Sequence, residues 1–565
     1  MILRLSLMPM TARHITAVDD VANQLFDSIV DLSPIMATWL GIEGHDDEYD
    51  DFSPAGLDAM DVINRAALDD VAKQPIADDI DTVTVAAMRE RLGLEIERHG
   101  KAADLMDIAG IGSGLHGIRE VYDMMPTETQ AQWATIGRRL QAVPAAIDGW
   151  FTSQFAGIEA GTRPASRQVD LLCEQCRGWA GEGGFFATML VDAPLDVPDM
   201  DAAARDALQQ GVSTARQAFL SAAERLESQI KPLAVTQDAV GPDRYELASR
   251  EFLGMSVDFA EYYQWGLNEV ARLDAESAEI AAKLRPGLSV PQTKQALDDD
   301  PAYQLDGSEA MRVWMQGKAN EAIAALNGTH FDIPEPAQRI ECMIAGIHDG
   351  GVWYTAPSDD FSRPGRMWWS VPEDQTKFLT WRELTTVYHE GVPGHHLQIS
   401  QAVYQRELLN NWRRNMVFVS GHGEGWALYA EQLMAELGYL DPATMLGMLD
   451  SQSLRAVRVV IDMGLHCGID APAEVGGGEW TFDKAWEFFN SHVQYDEGQA
   501  RFEVLRYFGW PGQAPSYKIG QRVWLEIRDE YRRRQGDAFS LKDFHAKALN
   551  LGSVGLGTLR EAMLG

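Results

Sequence analysis

Apolar residues recur at helical spacing between charged residues along most of this chain. Two clear examples are MDAAARDALQQGVSTARQAFLSAAERLESQI, from Met200, and SEAMRVWMQGKANEAIAALNG, from Ser308. Breaks rich in glycine, proline and acid separate such segments, as in GHDDEYDDFSPAG from Gly44 and in the glycine run Gly476 to Gly478. We find no repeat of fixed period. The pattern therefore predicts a mainly α-helical fold and argues against a solenoid.

One segment has a different pattern. In GGVWYTAPSDDFSRPGRMWWSVPE, from Gly350, aromatic and β-branched residues flank a centre rich in turn residues. This pattern predicts a short hairpin or an edge strand. Such a strand could offer its free N–H and C=O groups to an extended peptide, or the hairpin could simply cover the core.

Composition narrows the classes of function. Of the 565 residues, 45% are apolar and 23% are charged, as in an ordinary globular protein, and the formal charge is −36. Such an acidic surface repels phosphate backbones and anionic lipids, so we expect neither nucleic acid nor a membrane as a partner. No run approaches the roughly 20 apolar residues of a membrane span, and Arg4 interrupts the short apolar stretch at the N-terminus.

The cysteines point to a reducing compartment. Four cysteines are too few and too scattered for a disulfide framework in a chain of this length, so we predict a cytoplasmic protein. Cys173 and Cys176 form a C-x-x-C pair, but no second pair completes a zinc site. We therefore interpret that pair as structural or incidental.

The segment LTWRELTTVYHEGVPGHHLQ, from Leu379, carries the first candidate chemistry. Thr380 and Glu383 have the spacing of a capping box, and the apolar residues that follow continue at helical spacing. His389 and Glu390 should therefore lie on a helix. In H-E-x-x-H zinc sites the second histidine follows four residues after the first, but Pro393 occupies that position here.

A regular helix cannot bring a second histidine to the metal. His396 would return to the face of His389, but about 10 Å further along the axis. Pro393 and Gly394 favour a local bulge, which could bring His395 to the ligand position. We therefore favour His395 over His396 as the second ligand. The unused histidine could then contact substrate or orient a carboxylate.

A third ligand is available in SGHGEGWALYAEQL, from Ser420. Glu424 and Glu431 are seven residues apart, on one face of a second predicted helix that could return antiparallel to the first. Two histidines and Glu424 leave the fourth position of one zinc ion per chain open for water. Glu390 is then placed to take a proton from that water.

Several motifs resemble a known family. HEGVPGHHLQ, EGWALYAE, RAVRVVIDMGLH and RYFGWPGQAPSYKIG resemble the bacterial proteins catalogued as domain of unknown function 885, which are similar to gluzincin metallopeptidases. The resemblance covers most of the chain. It implies a two-lobed helical fold with a deep cleft and a small sheet near the active site, akin to angiotensin-converting enzyme, thimet oligopeptidase and carboxypeptidase Taq. Those enzymes carry H-E-x-x-H, whereas this chain has two additional residues between the histidines.

Within such a fold we predict an N-terminal helical lobe over residues 1–330 and a metal-site lobe over residues 331–565, together forming one compact unit. Downstream of the metal motifs, RAVRVVIDMGLHCG places charged residues on one helical face. These could form ordinary surface ion pairs. Alternatively, His466 contacts the oxyanion or Asp462 orients a ligand histidine, while an arginine, Arg455 or Arg458, receives a substrate carboxylate.

Tyr517 is the residue we nominate to stabilise the tetrahedral intermediate, because gluzincins commonly use a phenol opposite the base. Simple packing of Tyr517 is the alternative. Lys518, next to it, and His396 complete the candidate substrate-binding residues.

These patterns together favour a zinc peptidase that cleaves short peptides. A metal-dependent amidase or esterase acting on a small acyl substrate is one alternative, since the same activated water attacks any carbonyl. A binding protein that keeps the fold without turnover is another, although Glu390 would have no purpose there. The only protein partner we consider is a second copy of the chain in a homodimer.

Overall fold

Helices dominate this computed structural model, which describes residues 13–192, 202–346 and 351–565. The predicted mainly α-helical class is confirmed. The helices of the first half are α1 (Ala17–Leu32), α2 (Pro34–Trp39), α3 (Pro54–Val71), α4 (Asp79–Gly100), α5 (Gly114–Glu120), α6 (Gln130–Glu159), α7 (Ser166–Ala180), α8 (Phe185–Asp192), α9 (Ala202–Arg225), α10 (Pro242–Leu253), α11 (Phe259–Leu284), α12 (Val290–Asp298) and α13 (Ser308–Leu326).

The second half continues in the same manner. Its helices are α14 (Thr380–Glu390), α15 (His395–Tyr404), α16 (Asn411–Asn415), α17 (Ser420–Glu436), α18 (Pro442–Cys467), α19 (Phe482–His492), α20 (Glu497–Gly509), α21 (Ser516–Gln535), α22 (Leu541–Leu549) and α23 (Leu556–Leu564). The helix predicted from Ser308 is confirmed as α13. The helix predicted from Met200 corresponds to α9, although Met200 itself, like the N-terminal stretch containing Arg4, lies outside the described residues.

Two small sheets precede the metal motifs. Strands β1 (Gln304–Asp306) and β5 (Lys377–Leu379) pair antiparallel, and a three-stranded sheet has the order β2 (Ile340–Ile344), β4 (Gly365–Trp369), β3 (Val352–Thr355). β3 and β4 are the antiparallel pair predicted from sequence, in the register Val352 to Trp369, with Gly350 outside the described residues. β3 forms one edge of that sheet, whereas the sequence analysis did not predict β2, which runs parallel to β4.

The start of α14 differs from prediction. Leu379 is the N-cap, and no side chain caps the first turn, so the expected capping box does not form. The Thr380 hydroxyl donates instead to the carbonyl of Tyr303 over 3.1 Å. The reason is that β5 runs directly into α14, and its pairing with β1 already fixes the direction of the helix.

Buried apolar residues form two main cores. One is built by α5 to α9 and extends from Met106 to Ile230. The other joins α1 to α4 with the second half of the chain, from Val18 to Met563. The predicted division of the chain at residue 330 stays a prediction.

Helix α18 is the centre of the second core. Nearly all of its residues from Leu454 to His466 are buried, and it packs against α11, α14 and α21. A helix surrounded by protein on all sides must be apolar around its circumference, as VVIDMGL in this helix is. The few polar residues of α18 are consequently buried, and each requires a partner inside the protein.

Glycines set the distance between α17 and α21. A β-carbon on Gly520 would lie 2.0 Å from the carbonyl oxygen of Gly421 and 2.8 Å from the Cα of Gly425. Because no larger residue fits, the two backbones touch at this crossing. The contact places Tyr517, three residues before Gly520, on the same side as Glu424, which directly precedes Gly425.

Two further observations bear on the sequence predictions. Among the described residues, no helix is both long and apolar enough to cross a membrane. The four cysteines are free thiols, and Cys173 and Cys176 are buried on α7.

The glycine crossing provides a test of packing. We expect Gly520→Ala to lower the free energy of unfolding by about 1–3 kcal/mol, because its methyl group would overlap backbone atoms. Gly317→Ala, on the exposed face of α13 where a β-carbon meets no neighbour, is the matched control and should stabilise by about 0.5–1 kcal/mol. Urea and thermal unfolding measure both changes. Equal unfolding midpoints for the two variants would show that α17 and α21 can move apart at this crossing without loss of stability.

Candidate metal centre

The chain interrupts its helix between Glu390 and His395. α14 ends at Glu390, residues 391–394 form a tight turn, and α15 begins at His395. The amide of Gly394 donates to the carbonyl of Tyr388 over 3.0 Å. A β-carbon on Gly394 would lie 1.9 Å from the carbonyl oxygen of His389, so this close approach requires glycine.

The sequence analysis expected a bulge within one helix, and the structure has two helices instead. Gly391 and Gly394 have ψ angles of −131° and −132°, which lie outside the helical region. A bulge would have kept one continuous helix, whereas here α14 ends and a separate helix, α15, begins. His395 is therefore presented from the first residue of a separate helix.

A hydrogen bond from Trp426 links the turn to α17. Its indole Nε1 donates to the carbonyl of Pro393 over 2.9 Å, and its ring is fully buried. α17 runs antiparallel to α14, as predicted, since Thr385 contacts Glu431 while His389 contacts Glu424. The E-G-W-A motif thus supplies both a ligand candidate and the residue that secures the turn.

His389, His395 and Glu424 converge on one point. Their candidate ligand atoms all lie within 4.8 Å of one another. Nε2 of His389 lies 3.3 Å from Oε2 of Glu424, and Nε2 of His395 lies 3.4 Å from the same oxygen. A tetrahedral ion with bonds of about 2.05 Å separates its ligand atoms by about 3.3 Å, so these spacings fit zinc. This group could hold a metal ion, and the prediction that His395 rather than His396 joins it agrees with the geometry.

Glu431 orients the first ligand. Its Oε1 accepts a hydrogen bond from Nδ1 of His389 over 2.7 Å, and its Oε2 accepts one from the Thr385 hydroxyl over 2.6 Å. With the proton fixed on Nδ1, the lone pair of Nε2 faces Glu424 and the metal position. The sequence analysis noted the seven-residue spacing of the two glutamates but assigned Glu431 no role.

Carboxylates next to His389 change the pKa of its ring. Burial disfavours a protonated ring, but hydrogen bonds to Glu424 and Glu431 outweigh it and raise the pKa of His389 to about 10. An ion on Nε2 would replace that proton, so zinc and protons compete for this nitrogen. Glu424 keeps 17% of its side chain exposed, against 6% for His389 and 9% for His395, so the centre opens on the Glu424 side.

Glu390 lies beside the ligands without a partner. Its side chain is buried, and Oε2 makes no hydrogen bond within the described part of the chain. Burial raises the pKa of this carboxyl, and the nearby rings of His395 and His389 oppose the increase. A buried acceptor with no internal partner is available to a water or a substrate.

Tyr517 approaches the same centre from α21. Burial raises the pKa of its phenol, and the charge of Glu424 raises it further. The guanidinium of Arg458 lies 4.8 Å from the centre of the Tyr517 ring, and that of Arg506 lies 5.9 Å from it. Two guanidinium groups therefore lie against the phenol ring, and the charge of Glu424 acts on its hydroxyl.

Three other candidate residues are bonded within the protein. His396 donates from Nε2 to the carbonyl of Ala337 over 2.8 Å and accepts from the Tyr354 hydroxyl over 3.0 Å. His466 is likewise engaged at both nitrogens, by the carbonyl of Tyr507 at 2.8 Å and the amide of Val240 at 3.3 Å. Substrate or oxyanion contact by either ring would require these bonds to break.

Lys518 is the third. Its ammonium bonds to Gln452 at 2.6 Å and Gln521 at 2.8 Å, and it forms an ion pair with Glu269 at 3.0 Å. All three of its donors are thereby used inside the protein. The reason is the burial of α18 and α21, which obliges polar side chains between them to pair with one another.

A sequence comparison relates this chain to a known protein family. A family model described as bacterial protein of unknown function (DUF885) matches residues 34–563. The chain belongs to this family. No curated protein matches this DUF885 chain.

Two solved structures share the fold of this DUF885 chain. The crystal structure of a "putative lipoprotein" from Colwellia psychrerythraea has a TM-score of 0.85 at 24% identity, covering 97% of this chain and 98% of that one. The structure of a "putative lipoprotein of unknown function" from Shewanella oneidensis has a TM-score of 0.74 at 17% identity, covering 97% and 100%. At these identities the similarity concerns the fold alone.

Metal content separates the two histidines. We expect the purified DUF885 chain to bind about one zinc ion, and His395→Ala to lose it because one of three protein ligands is removed. His396→Ala should keep the metal, since its ring bonds only to Ala337 and Tyr354. Elemental analysis after dialysis against zinc gives both values. Zinc retained in His395→Ala and lost in His396→Ala would reverse the ligand assignment.

Glu431 gives a graded test. Glu431→Gln keeps the size of the side chain but weakens its hold on His389, so we expect zinc affinity to fall by about 10- to 100-fold. Glu561→Gln, on the exposed face of α23, is the control and should leave affinity unchanged. Competition with a chromogenic chelator measures both. An unchanged affinity in Glu431→Gln would mean that the fold alone orients His389.

Proposed function

We propose that this chain is a zinc-dependent hydrolase, a peptidase that cleaves short peptides with Glu390 as general base. The observation that carries the proposal is the triangle of His389, His395 and Glu424 with an unbonded, buried Glu390 beside it. Three protein ligands leave one coordination position free, which is the arrangement of catalytic rather than structural zinc sites.

Each residue then has a defined part. Zinc, when bound, supplies a Lewis acid that polarises a carbonyl and increases the acidity of water. Glu390 accepts a proton from the attacking water at its free Oε2 and returns it to the leaving amine. Its raised pKa, caused mainly by burial, brings it closer to the range in which a carboxyl group both accepts and donates protons.

Tyr517 supports the reaction from α21. Its phenol can donate a hydrogen bond to the oxygen on which negative charge develops. Arg458 and Arg506 lie against its ring and lower the free energy of such an anionic neighbour. The role of Tyr517 rests on this position and on the resemblance to gluzincins.

The substrate class rests on two features. The resemblance to helical metallopeptidases implies two lobes with a deep cleft, which admits extended chains and excludes folded protein. Edge strand β3 lies near the centre, because its Tyr354 hydroxyl donates to His396, the neighbour of a ligand. An extended peptide could pair with that edge. A small amide or ester would not need a strand to pair with. The edge strand near the centre therefore favours a peptidase.

Two observations bear on the cellular compartment. Free cysteines favour the cytoplasm, whereas each of the two structures of similar fold is named a "putative lipoprotein". The cytoplasmic location of this chain stays a prediction. Its homodimer stays a prediction.

Replacing the proposed general base, Glu390, tests this function. We expect Glu390→Gln to retain zinc but to lose about 10²- to 10⁴-fold in turnover of a mixture of short peptides, since the amide cannot accept the proton. Amine release, measured alongside zinc content, reports the result, and Glu561→Gln is again the control. Activity within a few-fold of wild type would remove Glu390 from the mechanism. Hydrolysis of acyl esters but not of peptides would support the alternative of an esterase. No turnover by the zinc-loaded wild-type protein would support the alternative of a binding protein.

A further inference from the structure

Arg455 lies level with the metal ligands on the neighbouring helix. A β-carbon on Gly447 would lie 2.1 Å from the carbonyl oxygen of Trp381, so α18 touches α14 near its start. Asp450, one turn beyond Gly447, then pairs with Arg382 at 3.0 Å, as expected for two helices that advance in the same direction. Arg455 is eight residues beyond Gly447, and His389 is eight residues beyond Trp381. Both have therefore risen by about 12 Å along their helices.

The electrostatics agree with this placement. Burial raises the pKa of Glu390, and Arg455 is among the positive groups that oppose the increase. The same guanidinium helps to lower the pKa of Glu431, together with the hydrogen bond from His389 that outweighs burial there. These directions agree with the position of Arg455 that the helix contacts give.

Arg455 nevertheless has no acidic partner. Its Nη1 bonds only within its own helix, to the hydroxyl of Ser451 at 2.7 Å and the carbonyl of Ser451 at 3.2 Å. Its Nε is buried and makes no hydrogen bond, and no carboxylate of the described residues lies within ion-pair distance. A guanidinium presents five donors, so most of the binding capacity of Arg455 is unused.

The neighbouring cations are all neutralised. Arg458 pairs with Glu503 at 2.9 Å, and Arg506 pairs with the same carboxylate at 3.2 Å. Lys518 pairs with Glu269. In a chain whose formal charge is −36, a half-buried arginine beside the metal centre without an acid is therefore unusual. The missing counter-charge is one that a ligand can supply.

We infer that Arg455 receives a carboxylate of the substrate, so that the site selects peptides and N-acyl amino acids with a free carboxylate near the scissile bond. This inference rests on the proposed hydrolase. Arg455 is then a specificity-determining residue, and Ser451 is the residue that positions it. Its guanidinium matches a carboxylate with two parallel hydrogen bonds, which neither Lys nor a neutral side chain reproduces.

The reach of the side chain limits where the carboxylate lies. Packed helices are about 8–10 Å apart, and an arginine side chain is long enough to cross much of that distance. An extended peptide advances about 3.3 Å per residue, so the carboxylate is within about three residues of the cleaved bond. The enzyme would then release short fragments from carboxyl ends. An acidic side chain at that distance would present the same chemical group.

Binding to a protein that cannot turn over tests the inference. The zinc-loaded Glu390→Gln variant is titrated calorimetrically with N-benzoyl dipeptides of several sequences, each as the free acid and as the C-terminal amide. We expect the best acid to bind about 10- to 100-fold tighter than its amide, as for a hydrogen-bonded charge pair. Adding Arg455→Met should abolish that ratio, while Arg455→Lys keeps part of it. Arg533→Met, exposed and far along α21, is the control.

Each outcome decides a question. A C-terminal amide ending in aspartate that binds as tightly as an acid would show that a side-chain carboxylate serves equally. Acid and amide binding equally, or neither binding, would overturn the inference and leave Arg455 as a charge that only tunes Glu390 and Glu431. Acid preference without hydrolysis by wild type would sustain the inference while the hydrolase proposal fails.

Discussion

The contact between Gly394 and the carbonyl of His389 is the constraint on which the centre depends. A side chain at Gly394 would overlap that oxygen, and without the contact the chain could not turn within four residues from α14 into α15. Trp426 closes the arrangement by bonding to the turn from α17, the helix that carries Glu424. The Trp426 indole therefore links the turn that separates the two imidazoles to the helix that carries Glu424.

Charge explains why so many polar groups are buried together. Glu390 and Glu431 are buried and Glu424 is mostly so, and isolated carboxylates in such a place would be costly. The rings of His389 and His395 compensate part of that charge, and a divalent ion would compensate more. Arg458 and Arg506 share Glu503 beside the ring of Tyr517, so both cations are neutralised within the protein.

The sequence predicted what depends on local spacing. Helical periodicity was sufficient for the fold class and for the antiparallel return of α17, and ligand chemistry selected His389, His395 and Glu424, a group that could hold a metal ion. The sequence could not supply what depends on contacts between distant residues. The partners of His396 and His466 come from distant residues, Ala337 and Tyr507, and no spacing reveals that both rings are fully bonded. The capping box failed because β5 feeds directly into α14.

The two additional residues between the histidines have a geometric explanation. In one continuous helix, ligands four residues apart share a face and approach an ion along similar directions. Here the rings of His389 and His395 meet nearly at right angles, with 87° between their planes and 4.9 Å between their centres. Tetrahedral coordination requires that lone pairs converge and sets no requirement on the spacing along the chain. A turn that redirects the second helix satisfies this requirement, so a longer spacing remains compatible with a zinc centre when glycine and proline stand at the turn.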